Sequence, residues 1–365
     1  MARRSGTDVT QLTTVDVVVP TLNASNLLRE CLIHLARSSF QDFTLFVYDD
    51  GSTEDVAAAV RAVFPTAHVL RSESNRGLAH GCNRAIRAGS SEFVALLNND
   101  VEVTTEWLCE LVACARRRQD AGSIASKLLL WDRRSQIHSA GDTYSFRGVA
   151  GNRGVWMEDT GQFDSEAQVF AACGGAALYR RAALNAVAFP DGSVFDERLF
   201  MYYEDVDLAW RLQCAGFTCY FAPRAVVYHR LSSTAGGELA SYYVARNALR
   251  VAHDRVPAAI RRGNRLRIAA THAGRVLRTL THVREPAARA SLSGTAAGIV
   301  HVLSSTEQAH CPREQCERIR GLLTHPSSEP FRGIPVARLG NCATAAGLRP
   351  VVGVDDGSSS SVANA

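Results

Sequence analysis

The sequence predicts an α/β fold, with a Rossmann-like, mainly parallel sheet flanked by helices and a helical C-terminal extension. Between residues 15 and 100, short apolar runs of strand length alternate with amphipathic stretches of helix length. Short polar side chains follow several of these runs at the points where strands would end. Strands that alternate with helices in this way form right-handed βαβ units and therefore a parallel sheet.

The apolar periodicity divides the first hundred residues into four strands and three helices. Pro20 ends the first, β-branched run, and Ser25 is a suitable cap for the helix that follows. Ser52 or Thr53 can cap the second helix. The predicted strands are 15–19, 44–48, 68–70 and 93–97, and the predicted helices end near residues 35, 64 and 88.

The pattern loosens after residue 100. A helix is predicted near 106–118, and residues 132–168 are expected to form a long loop or small hairpins. A loop of this length in a compact domain is typically a lid or a binding element. The later predicted elements are a short helix near 180–187, a helix that begins at Glu204, two short strands on either side of Pro223, and Arg-rich helices after Ala240.

Composition excludes several classes of protein. The net charge of +4 is small for 365 residues and does not call for a nucleic-acid partner. The ten cysteines form no CxxC pair, which favours a reducing, cytoplasmic compartment. No apolar run reaches the roughly 18 residues that a membrane span needs, and residues 1–11 lack the apolar core of a signal peptide.

Arginines are concentrated between Arg246 and Arg289, where only Asp254 and Glu285 oppose them. This stretch is compatible with a solvated helix face and also with attraction to anionic lipid or pyrophosphate. Peripheral contact with the inner face of a membrane is therefore one of the two localisations we consider, the other being free in the cytoplasm.

Polar residues at three strand ends predict one shared site. Ligands of parallel sheets bind beyond the carboxyl ends of the strands. Asp50 can accept hydrogen bonds from a nucleobase or ribose, although Asp-Gly-Ser is also a common turn. Asp100 suits a hard divalent cation, which typically holds one or two carboxylates and phosphate oxygens, although a turn or cap explains it equally.

Two further positions carry chemistry outside the first hundred residues. Asp205 lies three residues before Leu208, so it points toward the apolar side of its helix, where a raised pKa would suit a general base. Acidic residues also favour the first turn of any helix, so capping and catalysis are compatible there. His229 follows a strand-like run and can complete a metal site, contact phosphate or be structural.

Taken together, these segments resemble glycosyltransferase family 2, whose members have the GT-A fold. Five motifs carry the resemblance, in order: Val17-Val18-Val19-Pro20-Thr21-Leu22-Asn23, Val47-Tyr48-Asp49-Asp50-Gly51-Ser52-Thr53, Asn75-Arg76-Gly77-Leu78-Ala79 with Asn83, Leu96-Leu97-Asn98-Asn99-Asp100, and Gly174-Gly175-Ala176 together with Met201-Tyr202-Tyr203-Glu204-Asp205-Val206-Asp207-Leu208-Ala209-Trp210-Arg211. They cover about residues 15–232, and five motifs in this order are far more specific than any one of them.

The resemblance implies a role for each matching residue. Asp205 would be the catalytic base of an inverting single displacement, and Asp100 would hold Mg or Mn with His229. Glu204, Gly174 and Gly175 would bind the acceptor. The residues that would bind the nucleotide-sugar are Pro20, Thr21, Asn23, Asp50, Gly77, Asn83, Asn98 and Asn99.

The resemblance also implies a division of the chain. Residues 13–235 would form the GT-A domain, with a nucleotide-binding part at 13–100 and an acceptor part at 101–235. A flexible segment, 1–12, would precede it. An Arg-rich helical extension, 236–326, and an irregular, disordered tail, 327–365, would follow.

One departure from the family pattern bears on the donor. Asn98 and Asn99 stand where the metal motif has aspartates, which weakens ligation and is frequent in the rhamnosyltransferase-like subgroup. The resemblance therefore favours dTDP-L-rhamnose as the donor, and otherwise a UDP-sugar. The acceptor is open among a lipid-linked glycan, a polysaccharide end and a small natural product, and the absence of a QxxRW signature implies addition of a single sugar.

Three other functions share a fold of this kind. A nicotinamide dehydrogenase needs GxGxxG after the first strand, where this chain has Pro-Thr-Leu-Asn. A sugar nucleotidylyltransferase needs a Gly-rich phosphate loop at the same place. A non-catalytic nucleotide-sugar-binding module of the same fold is the remaining alternative, and the intact Asp50, Asp100 and Asp205 argue against it.

Overall fold

The computed structural model describes residues 14–231 and 237–324. The predicted flexible segment 1–12 and the predicted tail 327–365 lie outside these ranges. Within them a ten-stranded sheet forms the centre of the molecule, and helices cover both of its faces.

The first hundred residues fold as their periodicity predicts. The strands β1 to β4 pair in the order β3-β2-β1-β4, and each pair is parallel. Their bounds are Val15–Thr21, Phe43–Asp49, His68–Arg71 and Phe93–Leu97, and the intervening helices α1 to α3 are Ser25–Leu35, Val56–Arg61 and Leu78–Ala88.

The sheet continues with strands from the second part of the chain. β11 lies between β4 and β6 and runs antiparallel to both, while β12 runs parallel to β6. β6, β12 and the first four strands therefore run in one direction, and β11 alone among the long strands of the described chain is reversed. The bounds of this part are β5 Val101–Val103, α4 Trp107–Arg117, β6 Ala121–Leu130, β7 Ile137–Ala140, β8 Asp142–Tyr144, β9 Ala150–Asn152, β10 Ala167–Val169, β11 Ala176–Arg180, α5 Arg181–Ala186, a 3-10 turn at Glu197–Leu199, α6 Glu204–Cys214 and β12 Thr218–His229.

The expectation of two short strands around Pro223 is wrong. One strand, β12, passes through this residue, and its register against β6 shifts between Ala222 and Val226. An irregularity of this kind leaves a residue outside the regular ladder, so a proline, which has no N–H to donate, is tolerated there.

Neighbouring residues of a strand point to opposite faces of the sheet, and both faces are apolar because helices cover both. Val17 and Val19 pack in one layer with Leu28 of α1 and Trp107 of α4, and Val18 packs in the opposite layer with residues of α3 and α6. This double burial explains why the central strands are apolar runs rather than alternating patterns.

The C-terminal extension is helical, as predicted, and its described residues form four helices. They are α7 Gly237–Asp254, α8 Ala258–Leu280, α9 Pro286–Ser304 and α10 Arg313–Leu322. α9 packs closely on α7 because Gly294 and Gly298 present no side chain: a Cβ at Gly294 would lie 2.1 Å from the carbonyl oxygen of Tyr242. Within the described ranges, no helix combines the length and the apolarity required to cross a bilayer.

Candidate active site

The carboxyl ends of the parallel strands and the start of the reversed strand β11 meet at one edge of the sheet. A small cleft opens there. Its lining includes Pro20 near the end of β1, Asn98 directly after β4, Gly174 before β11, and Glu204 and Asp205 of α6. The reversal of β11 brings Gly174 to this edge, since the first residue of β11 is paired with the last residue of β4.

Asp50 organises one side of this edge. Its buried carboxylate accepts hydrogen bonds from the backbone N–H groups of Arg76 and Gly77, each at 2.8 Å. Gly77 has φ of 90°, and a Cβ there would lie 2.6 Å from the ring of Phe200. Gly77 is thus required by its backbone conformation and by Phe200, and Asp50 keeps acceptor capacity beyond the two amides.

Asn23 and Thr21 connect neighbouring strand ends. The side-chain oxygen of Asn23 accepts from the N–H of Thr53 at 2.8 Å, and the N–H of Asn23 donates to Ser52 Oγ at 2.9 Å. Asn23 has φ of 47°, a conformation that asparagine tolerates better than most residues. The buried amide of Asn99 donates to Thr21 Oγ1 at 2.8 Å, so these predicted donor-binding residues hold the ends of β1, β2 and β4 together.

The side chain of Asn83, which the resemblance assigns to the nucleotide-sugar site, is bonded within the protein. Its buried amide donates to the carbonyl of Phe195 and to Glu197, and its oxygen accepts from the N–H groups of Val194 and Phe195, at 2.8 to 3.0 Å. Both ends of the amide are occupied within the protein. Asn83 therefore holds the 194–197 segment, and Phe195 of that segment lines the cleft.

Asp100 and His229 face each other at the same edge. Nε2 of His229 lies 3.3 Å from Oδ1 of Asp100. Both side chains are buried, and Oδ1 of Asp100 has no hydrogen-bond partner among the described residues. A buried carboxylate oxygen without a donor carries a large desolvation cost, so a cation that binds this oxygen would offset it.

His138, which the sequence did not single out, lies behind His229. Their Nδ1 atoms are 3.1 Å apart. Burial, and then His229, lower the pKa of His138 well below its ordinary value, so this ring is neutral at pH 7. A metal-binding histidine commonly bonds a second group through its other ring nitrogen, and His138 occupies that place relative to His229.

Asp205 lies in the first turn of α6 with both oxygens bonded to backbone. Oδ2 accepts from the N–H of Gly174 and Oδ1 from the N–H of Val206, each at 2.8 Å. Burial raises the pKa of Asp205 above its ordinary value, and the two amide bonds oppose this rise. A Cβ at Gly174 would approach the Asp205 carboxylate to 3.2 Å, so the absence of a side chain there permits this close contact.

A second carboxylate, Asp142, lies beside Asp205. An oxygen of each carboxylate and the sulfur of Cys173 all lie within 4.8 Å of one another. Burial and the charge of Asp205 raise the pKa of Asp142 to about 8, although Ser139 and Asn152 donate to its Oδ1 at 2.7 and 2.9 Å. Asp142 belongs to the predicted 132–168 loop, which gave no signal of its own beyond its length.

Glu204 also lines the cleft, and its carboxyl group has a raised pKa. Burial, and then the charge of Asp205, raise the pKa of Glu204 to about 8. Its Oε2 atom is buried and has no hydrogen-bond partner in the described part of the chain. A protonated carboxyl group in this position can donate a hydrogen bond to a hydroxyl that enters the cleft.

The segment before α6 is strained and is held by the helical extension. Phe200, Tyr202 and Tyr203 have φ between 64° and 70°, the left-handed region that bulky residues rarely adopt. The fully buried amide of Asn247 on α7 donates to three carbonyl oxygens here, those of Leu199, Met201 and Tyr202, at 2.7 to 3.0 Å. α7 therefore fixes the backbone from which Glu204 and Asp205 extend.

Sequence comparison identifies relatives of the chain. Residues 16–187 match the sequence model of Glycosyl transferase family 2. The chain is 30% identical over 238 residues to protein y4gI of Sinorhizobium fredii, a match that covers 61% of this chain and 25% of that protein. It is 27% identical over 254 residues to N-acetylglucosaminyl-diphospho-decaprenol L-rhamnosyltransferase of Mycobacterium tuberculosis, covering 63% of this chain and 80% of the relative. The chain thus spans a quarter of the first relative and four fifths of the second.

Among solved structures, the chain is similar to the mannosyltransferase PcManGT of Pyrobaculum calidifontis in complex with GDP-Man and Mn²⁺. The identity is 15%, the TM-score is 0.49, and the alignment covers 84% of this chain and 78% of that one. Residues 1–349 of TarS from S. aureus align with a TM-score of 0.45 at 19% identity, covering 65% of this chain and 64% of that one.

The match at 16–187 covers the strand ends that carry Thr21, Asp50 and Asp100, and it reaches Gly174 at the start of β11. The relatives include a named glycosyltransferase. The chain therefore carries a glycosyl transferase family 2 domain.

Proposed function

We propose that this chain is an inverting, metal-dependent glycosyltransferase that moves one sugar from a nucleoside-diphosphate sugar to an acceptor hydroxyl. The observation that carries the proposal is the arrangement at the cleft: a half-buried carboxylate of raised pKa, Asp205, shares the carboxyl edge of the sheet with the unpartnered Oδ1 of Asp100. The family 2 domain supports the same reaction class.

In the proposed reaction the donor lies over the ends of β1, β2 and β4. The nucleotide occupies the side built by Asp50, Thr21 and Asn23, and Pro20 and Asn98 line the cleft beside it. The acceptor approaches from the side of Gly174, Gly175 and Glu204. Glu204, protonated at neutral pH because its pKa is raised to about 8, donates a hydrogen bond to an acceptor or sugar oxygen.

Asp205 takes the proton of the acceptor hydroxyl. The acceptor oxygen then forms a bond to the anomeric carbon while the bond between that carbon and the phosphate oxygen breaks, and the nucleoside diphosphate leaves with the electron pair. A single displacement of this kind inverts the anomeric configuration. The raised pKa of Asp205 strengthens it as a base, since a general base is most effective when its pKa lies near the operating pH.

Asp100 and His229 fit a divalent cation, Mg or Mn. Asp100 offers a buried oxygen with no other partner, His229 offers Nε2 3.3 Å away, and one or two protein ligands are usual where a cation also binds phosphate. Such a cation would neutralise the negative charge that grows on the departing diphosphate. The side-chain N–H of Asn99 is already engaged, because it donates to Thr21.

For the sugar we propose L-rhamnose, carried by dTDP, with a UDP-sugar as the second candidate. The support is the similarity to a mycobacterial relative whose name gives L-rhamnose as the transferred sugar. The same name gives N-acetylglucosaminyl-diphospho-decaprenol as that protein's acceptor. We therefore favour a lipid-linked glycan as acceptor over a polysaccharide end or a small natural product.

The test is a thermal-shift screen of the full chain with dTDP, UDP, GDP and CDP, each with and without Mn²⁺. A ligand that binds only the folded state raises the melting temperature, and the rise grows as the ligand concentration exceeds the dissociation constant. We expect a Mn²⁺-dependent shift with dTDP, which Asp205→Asn retains and Asp100→Asn makes independent of Mn²⁺. Absence of a shift with every nucleotide would overturn the proposal.

Turnover separates the enzyme from a non-catalytic binding module. With the nucleotide-sugar that matches the shifting nucleotide, release of nucleoside diphosphate is measured with a lipid-linked glycan or water as acceptor. We expect Asp205→Asn to lower the rate at least about a hundredfold while the thermal shift is unchanged, because it removes the base and no donor contact. Equal rates in the wild type and in this variant would show that Asp205 is not the base.

A further inference from the structure

Exposed apolar side chains are concentrated on two helices of the extension. Nine large apolar side chains are exposed in the described part of the chain, and seven of them lie between residues 266 and 303. They include Leu266 of α8 at 78% exposure, Leu277 at 66% and Leu303 of α9 at 82%. Single exposed apolar residues are ordinary, but a concentration of this kind indicates an interaction surface.

The apolar residues of α8 form a stripe. Leu266, Ala273, Leu277 and Leu280 follow one another at spacings of seven, four and three residues, so they lie on one face of the helix. All four are exposed. We name this face the α8 stripe.

Arginines border the α8 stripe on both sides. By the same helical spacing, Arg267 and Arg278 lie on one flank and Arg265 on the other, and all three are exposed. α8 contains six arginines and no aspartate or glutamate. A helix with exposed leucines between arginines is typical of segments that lie in the interface of an anionic bilayer.

The opposite face of α8 packs against the acceptor side of the active site. Ile268 contacts the loop at Gly148, where a Cβ would lie 3.1 Å from its side chain. Arg275 interacts with Tyr203: burial raises the pKa of the Tyr203 hydroxyl, and Arg275 opposes that rise. Tyr203 directly precedes Glu204 and Asp205, so α8 connects the α8 stripe to the segment that carries the base.

We propose that α8 is a membrane-docking helix, which binds the surface of an anionic bilayer through the leucines of the α8 stripe and its flanking arginines. The leucines would enter the headgroup region, and the arginines would pair with lipid phosphates. A second copy of the chain fits less well, since two such faces would bring the three flanking arginines of each copy, six in all, together without an acid of α8. Delivery of a lipid-linked acceptor to the Asp205 side rests on the proposed function, whereas the docking itself does not.

The test is cosedimentation of the full chain with phosphatidylcholine vesicles that contain about one third phosphatidylglycerol, against pure phosphatidylcholine. We expect binding to the anionic vesicles only, falling as salt rises from about 0.1 to about 0.5 M, because salt screens the arginines. Leu266→Ser with Leu277→Ser, and separately Arg267→Glu with Arg278→Glu, should each weaken binding about tenfold. Each pair leaves the cleft residues intact, and circular dichroism checks its folding.

Two matched controls accompany these variants. Arg29→Glu with Arg37→Glu makes the same change of charge at exposed positions of α1 and after it, and Met157→Ser removes an exposed apolar side chain elsewhere. Both should bind vesicles as the wild type does. The proposal is overturned if the wild type ignores anionic vesicles at low salt, if the controls weaken binding equally, or if Leu266→Ser with Leu277→Ser merely dissociates a dimer. Vesicle binding by Asp205→Asn separates this outcome from any failure of the glycosyltransferase proposal.

Discussion

Three carboxyl groups, Asp142, Glu204 and Asp205, gather on the acceptor side of the cleft. Their proximity means that not all of them can ionise at neutral pH, because burial and mutual repulsion disfavour the charged forms. The pKa values of Asp142 and Glu204 rise to about 8, so at pH 7 Asp205 is the member of the group best able to accept a proton. The environment thus separates one base from two proton-bearing acids, which is a common way to assign roles to similar groups.

Asp142 gives this arrangement a measurable effect on stability. Its folded-state pKa, about 8, lies above the roughly 3.9 of an unfolded aspartate. Between these values the folded chain holds a proton that the unfolded chain releases, so stability is full below about pH 4 and is lost as pH rises toward 8. Between pH 5 and 7.5, Asp142 should make the unfolding free energy of the wild type fall by about 1.4 kcal/mol per pH unit. We expect Asp142→Asn to remove this part of the fall.

Urea unfolding of both proteins at the two pH values is the measurement. The matched control is Asp132→Asn, since Asp132 is exposed in the loop after β6 and should leave the pH dependence as it is in the wild type. If Asp142→Asn kept the full wild-type loss, Asp142 would already be ionised at pH 5. The close approach to Asp205 would then have to be stabilised in another way.

The sequence predicted the residues that end the strands better than the residues that support them. Asp50 and Asp100 lie at the edge where parallel-sheet logic puts them, because strand ends can be located from apolar runs. His138 and Asp142 were not predicted because they belong to short strands of the 132–168 region, whose positions depend on pairing with β6, with β9 and with Ala171 rather than on local pattern. Asn83 and Gly77, which the resemblance assigns to the donor, also contact the 194–200 segment, which is distant in sequence.

At the scale of elements, α7 stabilises the backbone of residues 199–202, which precede α6. Three residues with positive φ before α6 cost about 1–3 kcal/mol each, so the surrounding structure must impose their conformation. Asn247 supplies three hydrogen bonds to that segment from one side chain, and the neighbouring Arg246 donates to the carbonyls of Arg198 and Leu199. Such a dependence of α6 on a later helix has no signal in local sequence.

We predict that Asn247→Leu lowers kcat at least about tenfold with little change in KM for the donor. Leucine has a similar size but leaves three carbonyls without their donor, so the segment before Glu204 and Asp205 relaxes, whereas the amides that Asp50 binds belong to Arg76 and Gly77 and not to Asn247. Steady-state kinetics at varied nucleotide-sugar concentration measures both constants. Asn264→Leu on α8 is the control, since in the described chain the side chain of Asn264 bonds to Ile260 and Arg267 of the same helix. A folded Asn247→Leu protein with normal kcat would show that the segment holds its own conformation.

At the scale of the whole molecule, buried charges join the sheet domain to the extension. Arg255, which follows α7, pairs with Asp207 of α6, with Asp196 and with Glu307 after α9. Arg255, Asp196 and Asp207 are all buried. A buried ion pair is expensive to form but more expensive to break from one side, because the remaining charges lose their compensation.

We expect Arg255→Met to lower the unfolding free energy by about 3 kcal/mol and to separate one unfolding transition into two. The first would be loss of the extension and the second unfolding of the sheet domain, because the variant removes buried ion pairs that join them. Denaturant unfolding followed by circular dichroism and by tryptophan fluorescence detects the separation. Arg313→Met breaks an exposed pair with Glu317 and should leave the single transition intact. Coincident transitions in Arg255→Met would mean that apolar packing alone couples the two parts.

The parts of the architecture that depend on local sequence pattern were predictable. Alternation of apolar and amphipathic stretches gave the first four strands, and an Arg-rich helical pattern gave the extension. The reversal of β11 and the passage of β12 through Pro223 were not predictable, since both depend on which strand a segment finds as its neighbour.

The bond between Asn247 and the 199–202 backbone has a consequence for protein engineering. The family match ends at residue 187, yet the proposed base, Asp205, lies on α6, and the segment before α6 is held by α7. A chimera that joins this chain to a relative would therefore need a junction after α7, not at the end of the matched domain. Recombination at residue 187 would combine the strand ends of this chain with the α6 and α7 of another protein.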